Sequence, residues 1–155
     1  MKIALGADHR GRETLLHITA MLGTQGHELL TVDQQDIDKS VDYPDTALPV
    51  ARAVAMGEAH FGILVCGSGI GSCITANKVR GIRAAQVHDE IGAEMARRHH
   101  DANILCLAAD LMGHRTIERV VETFFATDFE GGRHARRIGK ITAIEEVTTR
   151  PAASG

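Results

Sequence analysis

A glycine-rich segment over residues 66–72 holds the residues of this sequence that are best suited to chemistry. It reads Cys-Gly-Ser-Gly-Ile-Gly-Ser and follows a continuously apolar run, so a buried strand should turn here into a helix. Glycines let the backbone approach a ligand closely, and successive N–H groups at a helix start can bind an anion or a developing oxyanion. A dinucleotide fingerprint would need glycine at Ser72, and a P-loop would need a Gly-Lys-Ser/Thr ending, so neither motif fits.

Cys66 begins this loop and is the strongest candidate for a reactive side chain. A thiol near a helix N-terminus is stabilised as thiolate, which can act as a nucleophile or as a base. The alternative is a buried cysteine at a strand end, the commonest situation of a free cysteine. The adjoining anion-binding loop favours the functional interpretation. Cys73 falls in the predicted helix and Cys106 in the middle of a strand, so both are interpreted as core residues.

Two histidine-containing segments could handle protons. Asp8 and His9 follow the first predicted strand, where a ligand would lie, although Asp8 could equally cap the next helix and His9 could be a solvated loop residue. His99 and His100 close a helix before the fifth strand. Proton transfer is the sharper interpretation of this pair, and favourable charge at a helix C-terminus is the alternative. Neighbouring helix positions do not face one another, which disfavours a shared metal ion.

Two arginines open the last predicted helix. Arg133 and Arg137 lie four residues apart, so they share one helix face. Because cations are disfavoured at a helix N-terminus, two guanidinium groups there indicate a nearby anion, for which phosphate is the obvious candidate. A solvated basic face is the alternative interpretation.

Alternating strands and helices must position these segments. Asp45 and Asp89 are each expected to cap a helix, and residues 33–44 are expected to form a loop. The alternation predicts an α/β fold, a Rossmann-like three-layer sandwich with a five-stranded parallel sheet, whose ligands bind beyond the carboxyl ends of the strands. The predicted strands are 2–7, 28–32, 61–66, 82–87 and 103–108, and the predicted helices are 10–23, 46–57, 70–79, 90–99, 114–126 and 133–147.

Length and composition narrow the class of protein. The 155 residues fit one domain over residues 1–148, followed by a small polar tail over 149–155 that is expected to be flexible. A formal net charge of -3 and an aromatic content of 3% argue against a nucleic-acid partner. No apolar run approaches the roughly 20 residues of a membrane helix, and the N-terminus lacks a signal-peptide pattern. Three cysteines without a C-x-x-C motif indicate neither disulfides nor a standard zinc site, so a reducing cytoplasm is the expected location.

Seven segments, taken together and in order, resemble the ribose-5-phosphate isomerase B family, which includes allose- and galactose-6-phosphate isomerases. They cover nearly the whole chain, and their combination is far more specific than any one of them. The segments are G-A-D-H-R-G (6–11), D-Y-P (42–44), C-G-S-G-I-G (66–71), A-N-K (76–78), G-I-R-A (81–84), R-H-H-D-A-N (98–103) and F-E-G-G-R-H-x-x-R (129–137).

The resemblance implies an aldose–ketose isomerase that converts ribose 5-phosphate to ribulose 5-phosphate without a cofactor or a metal ion. Cys66 matches the base that moves a proton between C1 and C2; a second branch of the family uses a glutamate at the position of Ser72. His99, assisted by Asp8, matches the residue that opens the sugar ring. Ser68 matches a position that aids proton transfer, the amides of Gly67, Gly69, Ile70 and Gly71 match stabilisers of the enediolate, and His9, Tyr43, Arg133 and Arg137 match substrate contacts.

The resemblance also implies assembly. Family members form homodimers, sometimes paired into tetramers, with active sites between two subunits. Arg133 and Arg137 would then contact phosphate from the partner subunit. No nucleic acid and no membrane is implied as a partner.

Two positions depart from the family pattern. Many members have asparagine at His100, where it contacts sugar hydroxyls or the anionic loop, and many have arginine near Asp110, where it adds to the phosphate site. A carboxylate in place of a cation should weaken binding of a dianion, so we hypothesise a substrate other than ribose 5-phosphate. The alternatives are the same chemistry on allose 6-phosphate, galactose 6-phosphate or a tetrose phosphate, a non-catalytic sugar-phosphate-binding module, and a redox sensor based on Cys66.

Overall fold

The computed structural model describes residues 1–32 and 39–148. Residues 33–38 of the expected loop and the expected tail over 149–155 lie outside this range. The elements are, in chain order, β1 (Lys2–Ala7), α1 (Arg12–Thr24), β2 (Glu28–Thr31), α2 (Tyr43–Ala55), β3 (Phe61–Cys66), α3 (Ile70–Ala76), β4 (Ala84–Gln86), α4 (Glu90–His100), β5 (Ile104–Ala108), α5 (His114–Ala126) and α6 (Arg133–Thr148).

The strands form one parallel sheet in the order β2-β1-β3-β5-β4, which confirms the predicted fold class. The chain crosses from β1 to β2 at one edge, returns to β3 beside β1, crosses to β4 at the other edge and returns to β5 between β3 and β4. β1 and β3 are neighbours, with Ala7 opposite Val65. Their carboxyl ends therefore flank the point at which ligands of open parallel sheets bind.

Helices cover both faces of the sheet and bury it in two hydrophobic clusters. One cluster joins the sheet to α1, α4 and α5, and the other joins it to α2 and α3. In β5, Leu105 and Leu107 belong to the first cluster, whereas Ile104 and Cys106 belong to the second. This alternation along one strand is the reason for its continuously apolar sequence, and it confirms the three-layer sandwich.

Several predicted boundaries were wrong. The second helix begins at Tyr43 rather than at residue 46, and Asp45 lies in its first turn instead of capping it. Pro44 explains the earlier start, because proline has a fixed φ and needs no hydrogen bond for its nitrogen in the first turn. β4 begins at Ala84 rather than at residue 82, and α3 ends at Ala76.

One predicted helix cap was right. The Gly92 N–H donates to Asp89 Oδ1 at 2.7 Å, so Asp89 caps α4 through its side chain. The other end of α4 is also fixed. Asp101 follows it in the left-handed conformation (φ 44) and binds Arg97 at 2.7 Å and Arg83 at 2.9 Å.

The last helix, α6, leaves much of its length exposed. It packs on α4, and the apolar side chains of Ile141 and Ile144 face solvent. Across residues 1–32 and 39–148, no helix combines the length and the apolar character needed to cross a bilayer.

Gly11 makes the closest approach between the turn after β1 and the sheet. A Cβ placed at Gly11 would lie 2.5 Å from the Val65 carbonyl oxygen, which is part of the backbone of β3. The turn that carries Asp8 and His9 can therefore rest against β3 only with glycine at this position.

We predict that Gly11→Ala destabilises the protein by about 1–3 kcal/mol, because the methyl group overpacks against a backbone that cannot move aside. Gly23→Ala is the matched control. Gly23 lies in α1, the helix that Gly11 directly precedes, and a Cβ at Gly23 would meet nothing within 4 Å. Urea unfolding should give a lower midpoint for Gly11→Ala and an unchanged or higher midpoint for Gly23→Ala; equal midpoints would contradict the close approach.

Candidate active site

Cys66 and Asp8 lie side by side at the carboxyl edge of the sheet. Cys66 is the last residue of β3, and the Asp8 N–H donates to the Val65 carbonyl at 3.1 Å, directly beyond β1. Both side chains are buried, at 3% and 6% exposure. The Gly69 N–H donates to Cys66 Sγ at 3.1 Å. The sulfur is therefore in direct contact with the backbone of the glycine-rich loop.

The carbonyl groups of residues 66–68 all accept hydrogen bonds, and their donors lie on one side of the loop. The Cys66 carbonyl accepts from Ala109 N–H at 2.9 Å, and the Gly67 carbonyl accepts from Asp110 N–H at 3.0 Å. The Ser68 carbonyl accepts from the Gln86 side chain at 2.6 Å. Because the N–H groups of trans peptides point away from the carbonyls, this arrangement directs the loop amides to the opposite side.

Asp8 does not cap α1, so that alternative was wrong: the N-cap is Gly11, and no side chain caps the helix. The Asp8 Oδ1 instead accepts from Arg10 N–H at 2.9 Å and from Gly11 N–H at 3.0 Å, which closes the turn before α1. These bonds hold the buried carboxylate at the carboxyl edge of the sheet, next to the end of β3.

His9 and Tyr43 border the loop from the neighbouring segments. His9 is exposed, and its Nδ1 lies 3.2 Å from the Val41 carbonyl oxygen and 3.4 Å from Ser40 Oγ. Tyr43 opens α2, and its ring lies on the loop: a Cβ at Gly71 would be 2.7 Å from two ring carbons. Both residues thus lie with Cys66 and Asp8, as the sequence predicted.

Asp110 lies directly over the loop, paired with a cation. Its Oδ2 accepts from Arg10 Nε at 2.7 Å. A Cβ at Gly67 would lie 2.6 Å from Asp110 Oδ2 and 3.0 Å from Arg10 Nε. The carboxylate that the sequence analysis took as a lost phosphate contact therefore brings a guanidinium group with it.

The sequence-predicted residues of α4 and α6 lie at the opposite edge of the sheet. His99 and His100 end α4, just before β5 begins, whereas Cys66 ends its strand. β5 has five residues, so the two edges are separated by roughly 16 Å at about 3.3 Å per residue. Arg133 and Arg137 lie on α6, which packs on α4. One copy of the chain therefore does not bring His99 to Asp8 and Cys66.

His99 has its own partners at this second edge. Its ring stacks on that of His134, with centroids 4.2 Å apart and planes inclined by 3°. Glu130 Oε2 lies 4.0 Å from His99 Nε2 and accepts from Arg98 Nε at 2.9 Å. Burial and the neighbouring His99 lower the pKa of His134. His134 lies within the F-E-G-G-R-H-x-x-R segment, but no role was predicted for it.

This group offers three potential metal ligands within residues 1–32 and 39–148, but its geometry does not suit one ion. The ligand atoms of His99, Glu130 and His134 lie within 4.8 Å of one another. A metal ion binds in the plane of each imidazole, and the planes of two stacked rings are parallel rather than convergent. Glu130 is also held by Arg98.

The remaining cysteines form a second thiol pair behind the loop. Cys106 is fully buried, and burial raises its pKa, as expected for a core residue. Cys73 is only partly buried, which differs from its expected core position. A hydrogen bond with Cys106 lowers the pKa of Cys73 to about 7. The Cys73 thiol also donates to the Ala84 carbonyl at 3.4 Å.

Known proteins resemble this chain in sequence and in fold. The Ribose/Galactose Isomerase family model matches residues 3–141. Ribose-5-phosphate isomerase B of Escherichia coli is 39% identical over 145 residues, covering 94% of this chain and 97% of that protein. D-erythrulose-4-phosphate isomerase of Pectobacterium atrosepticum is 39% identical over 148 residues, covering 94% and 95%. The solved ribose-5-phosphate isomerase B of Clostridium thermocellum is 44% identical with a TM-score of 0.93, covering 96% of this chain and 100% of that one. On this sequence and structural similarity, the chain belongs to the ribose/galactose isomerase family.

Proposed function

We propose that this chain is an aldose–ketose isomerase that converts ribose 5-phosphate to ribulose 5-phosphate, with Cys66 as the base. The observation that carries the proposal is the Cys66 thiol itself. It accepts the Gly69 N–H at 3.1 Å, lies beside the buried Asp8 carboxylate, and occupies the carboxyl edge between β1 and β3. A non-catalytic binding module would not need a thiol held in this way.

The reaction requires a base and a site for negative charge. Cys66 thiolate removes the proton from the carbon beside the carbonyl while the Gly69 N–H donates to its sulfur, and the amides of Gly67, Ile70 and Gly71 stabilise the enediolate. One such donor contributes about 3–4 kcal/mol to the transition state in comparable oxyanion holes. Ser68, which is exposed beside the thiol, assists the return of the proton. The hydrogen moves as a proton, so the step needs no nicotinamide.

The ring-opening and phosphate-binding residues come from a second copy of the chain. His99, His100, Arg133 and Arg137 lie at the opposite edge from Cys66, so they reach a substrate there only if two copies face one another. In a two-fold dimer each copy gives its loop to one site and its α4–α6 edge to the other. The exposed Ile141 and Ile144 on α6 supply apolar surface for this assembly. A dimer is therefore the smallest active unit, and a tetramer would pair two of them.

The Arg10–Asp110 pair bears on the choice of sugar. The two side chains lie over Gly67, and the guanidinium group offsets the carboxylate charge near the phosphate. Ribose 5-phosphate is therefore the proposed substrate, in place of the different sugar that Asp110 suggested from the sequence. A tetrose phosphate is the second candidate, because one relative is a D-erythrulose-4-phosphate isomerase. Chemistry on a metabolic sugar phosphate, with three free thiols, fits a cytoplasmic enzyme.

We predict that Cys66→Ala lowers kcat for ribose 5-phosphate by about 10²–10⁴-fold, because the base is lost. Cys73→Ala is the matched control, since it removes the thiol whose pKa is lowered to about 7 but which lies behind the loop. Product formation should be followed for both purified variants. Full activity of Cys66→Ala, or an equal loss in Cys73→Ala, would contradict the assignment.

We predict that Asp110→Asn lowers the KM for ribose 5-phosphate by about three- to tenfold, where tenfold corresponds to 1.4 kcal/mol. The change removes a carboxylate from the phosphate site and frees Arg10 to bind the dianion. Glu122→Gln removes the same charge from the exposed side of α5 and should leave KM unchanged. An unchanged or higher KM for Asp110→Asn would place phosphate away from this pair.

We predict that two inactive variants restore activity when they assemble together. Cys66→Ala keeps the His99 edge, and His99→Asn keeps the Cys66 loop, so each mixed dimer contains one intact site. Random assembly makes half of the dimers mixed, so the unseparated sample should recover roughly a quarter of wild-type activity and the purified mixed dimer roughly half. Co-expression with two different tags gives the mixed dimer for a rate measurement.

The matched control combines His99→Asn with Arg137→Ala. Both residues belong to the edge that one copy donates, so every site in the mixed dimer keeps one defect and no activity should be gained. Recovery in this control, or none with Cys66→Ala and His99→Asn, would show that the site is not divided in this way.

A further inference from the structure

Three successive carbonyls of the loop are bound, and only one of them depends on a side chain. The first two accept hydrogen bonds from the backbone N–H groups of Ala109 and Asp110, which only a proline substitution can remove. The third, Ser68 C=O, accepts from Gln86 Nε2 at 2.6 Å. A point mutation can therefore disturb the loop selectively at this position.

The Ser68–Gly69 peptide is held at both ends. Its carbonyl oxygen binds Gln86, and its N–H donates to Cys66 Sγ at 3.1 Å. In a trans peptide these two groups point in opposite directions. The bond to Gln86 therefore fixes the direction in which the Gly69 N–H points.

Packing keeps Gln86 in this place. A Cβ at Gly69 would lie 3.2 Å from both Cγ and Nε2 of Gln86, so the side chain lies flat on the glycine. Gly69 also has φ +76, a conformation that side chains rarely adopt. Gln86 Nε2 lies 3.4 Å from His88 Nε2, a second partner for the same amide. The residue ends β4, the edge strand next to β5, which brings it level with the loop.

We propose that Gln86 is a positioning residue that aims the Gly69 N–H at the sulfur of Cys66. The proposal rests on the proposed role of Cys66 as base. Without the amide donor, the Ser68–Gly69 peptide is free to rotate, and rotation would turn the Ser68 carbonyl towards the thiolate. An N–H donor stabilises a thiolate, whereas a carbonyl oxygen repels it.

Gln86→Met tests the proposal, because methionine has a similar length and shape but no N–H group. We expect kcat to fall about tenfold with little change in KM, since the loss affects the base rather than substrate binding. Gln86→Glu should be at least as impaired, because a carboxylate would face the Ser68 carbonyl. Gln25→Met, at the exposed end of α1, should match wild type.

A second measurement does not depend on turnover. The rate of Cys66 alkylation by iodoacetamide at neutral pH, followed by peptide mass spectrometry, should fall in Gln86→Met by a similar factor to kcat. Cys73 alkylation in the same sample is an internal control and should not change. If the wild-type protein has no isomerase activity, the alkylation rates still decide the role of Gln86.

Two results would overturn the proposal. The first is an unchanged Cys66 alkylation rate in folded Gln86→Met, which would show that the peptide keeps its direction without the side chain. The second is an equal change at Cys66 and Cys73, which would show a general loosening of the structure rather than a specific effect on one peptide.

Discussion

The site depends on one constraint, that the carbonyl groups of the loop after β3 are bound on the side away from the thiol. Two backbone N–H groups of the segment after β5 and the side-chain amide of Gln86 donate hydrogen bonds to the carbonyls of residues 66–68. Since a trans peptide points its N–H opposite to its carbonyl, the loop amides then face Cys66 and the space above it. The segment after β5 and the last residue of β4 supply all three donors, so the strand order itself directs the loop amides to one side.

The same parallel sheet separates the residues that the chemistry requires. Its carboxyl edge carries Cys66, the loop and the buried Asp8, and its amino edge carries His99 with the arginines of α6. No rotation of side chains spans about five strand residues, so the proposed site is complete only if two copies combine. The stacking of His99 on His134, and the ion pair of Glu130 with Arg98, hold this second half in a defined arrangement before assembly.

The sequence predicted the features that depend on local pattern, and it missed those that depend on contacts between distant segments. The apolar strands, the glycine loop and the cap at Asp89 could be recognised from neighbouring residues. The prediction that Asp45 caps α2 was wrong because Pro44 favours the first turn of a helix, which starts α2 at Tyr43. The roles of Gln86 and of Arg10 beside Asp110 arise only when β4, β1 and β5 meet at one edge, and alternation of elements does not determine strand order.

The central claim is that Cys66 transfers a proton through an enediolate, and proton NMR of the reaction in D₂O tests it most directly. The account predicts that ribose 5-phosphate is converted with deuterium incorporated at the carbon that receives the proton, and that conversion and incorporation are lost together in Cys66→Ala. Conversion that continues at the wild-type rate in folded Cys66→Ala would contradict it, because the hydrogen would then move between the two carbons without this base.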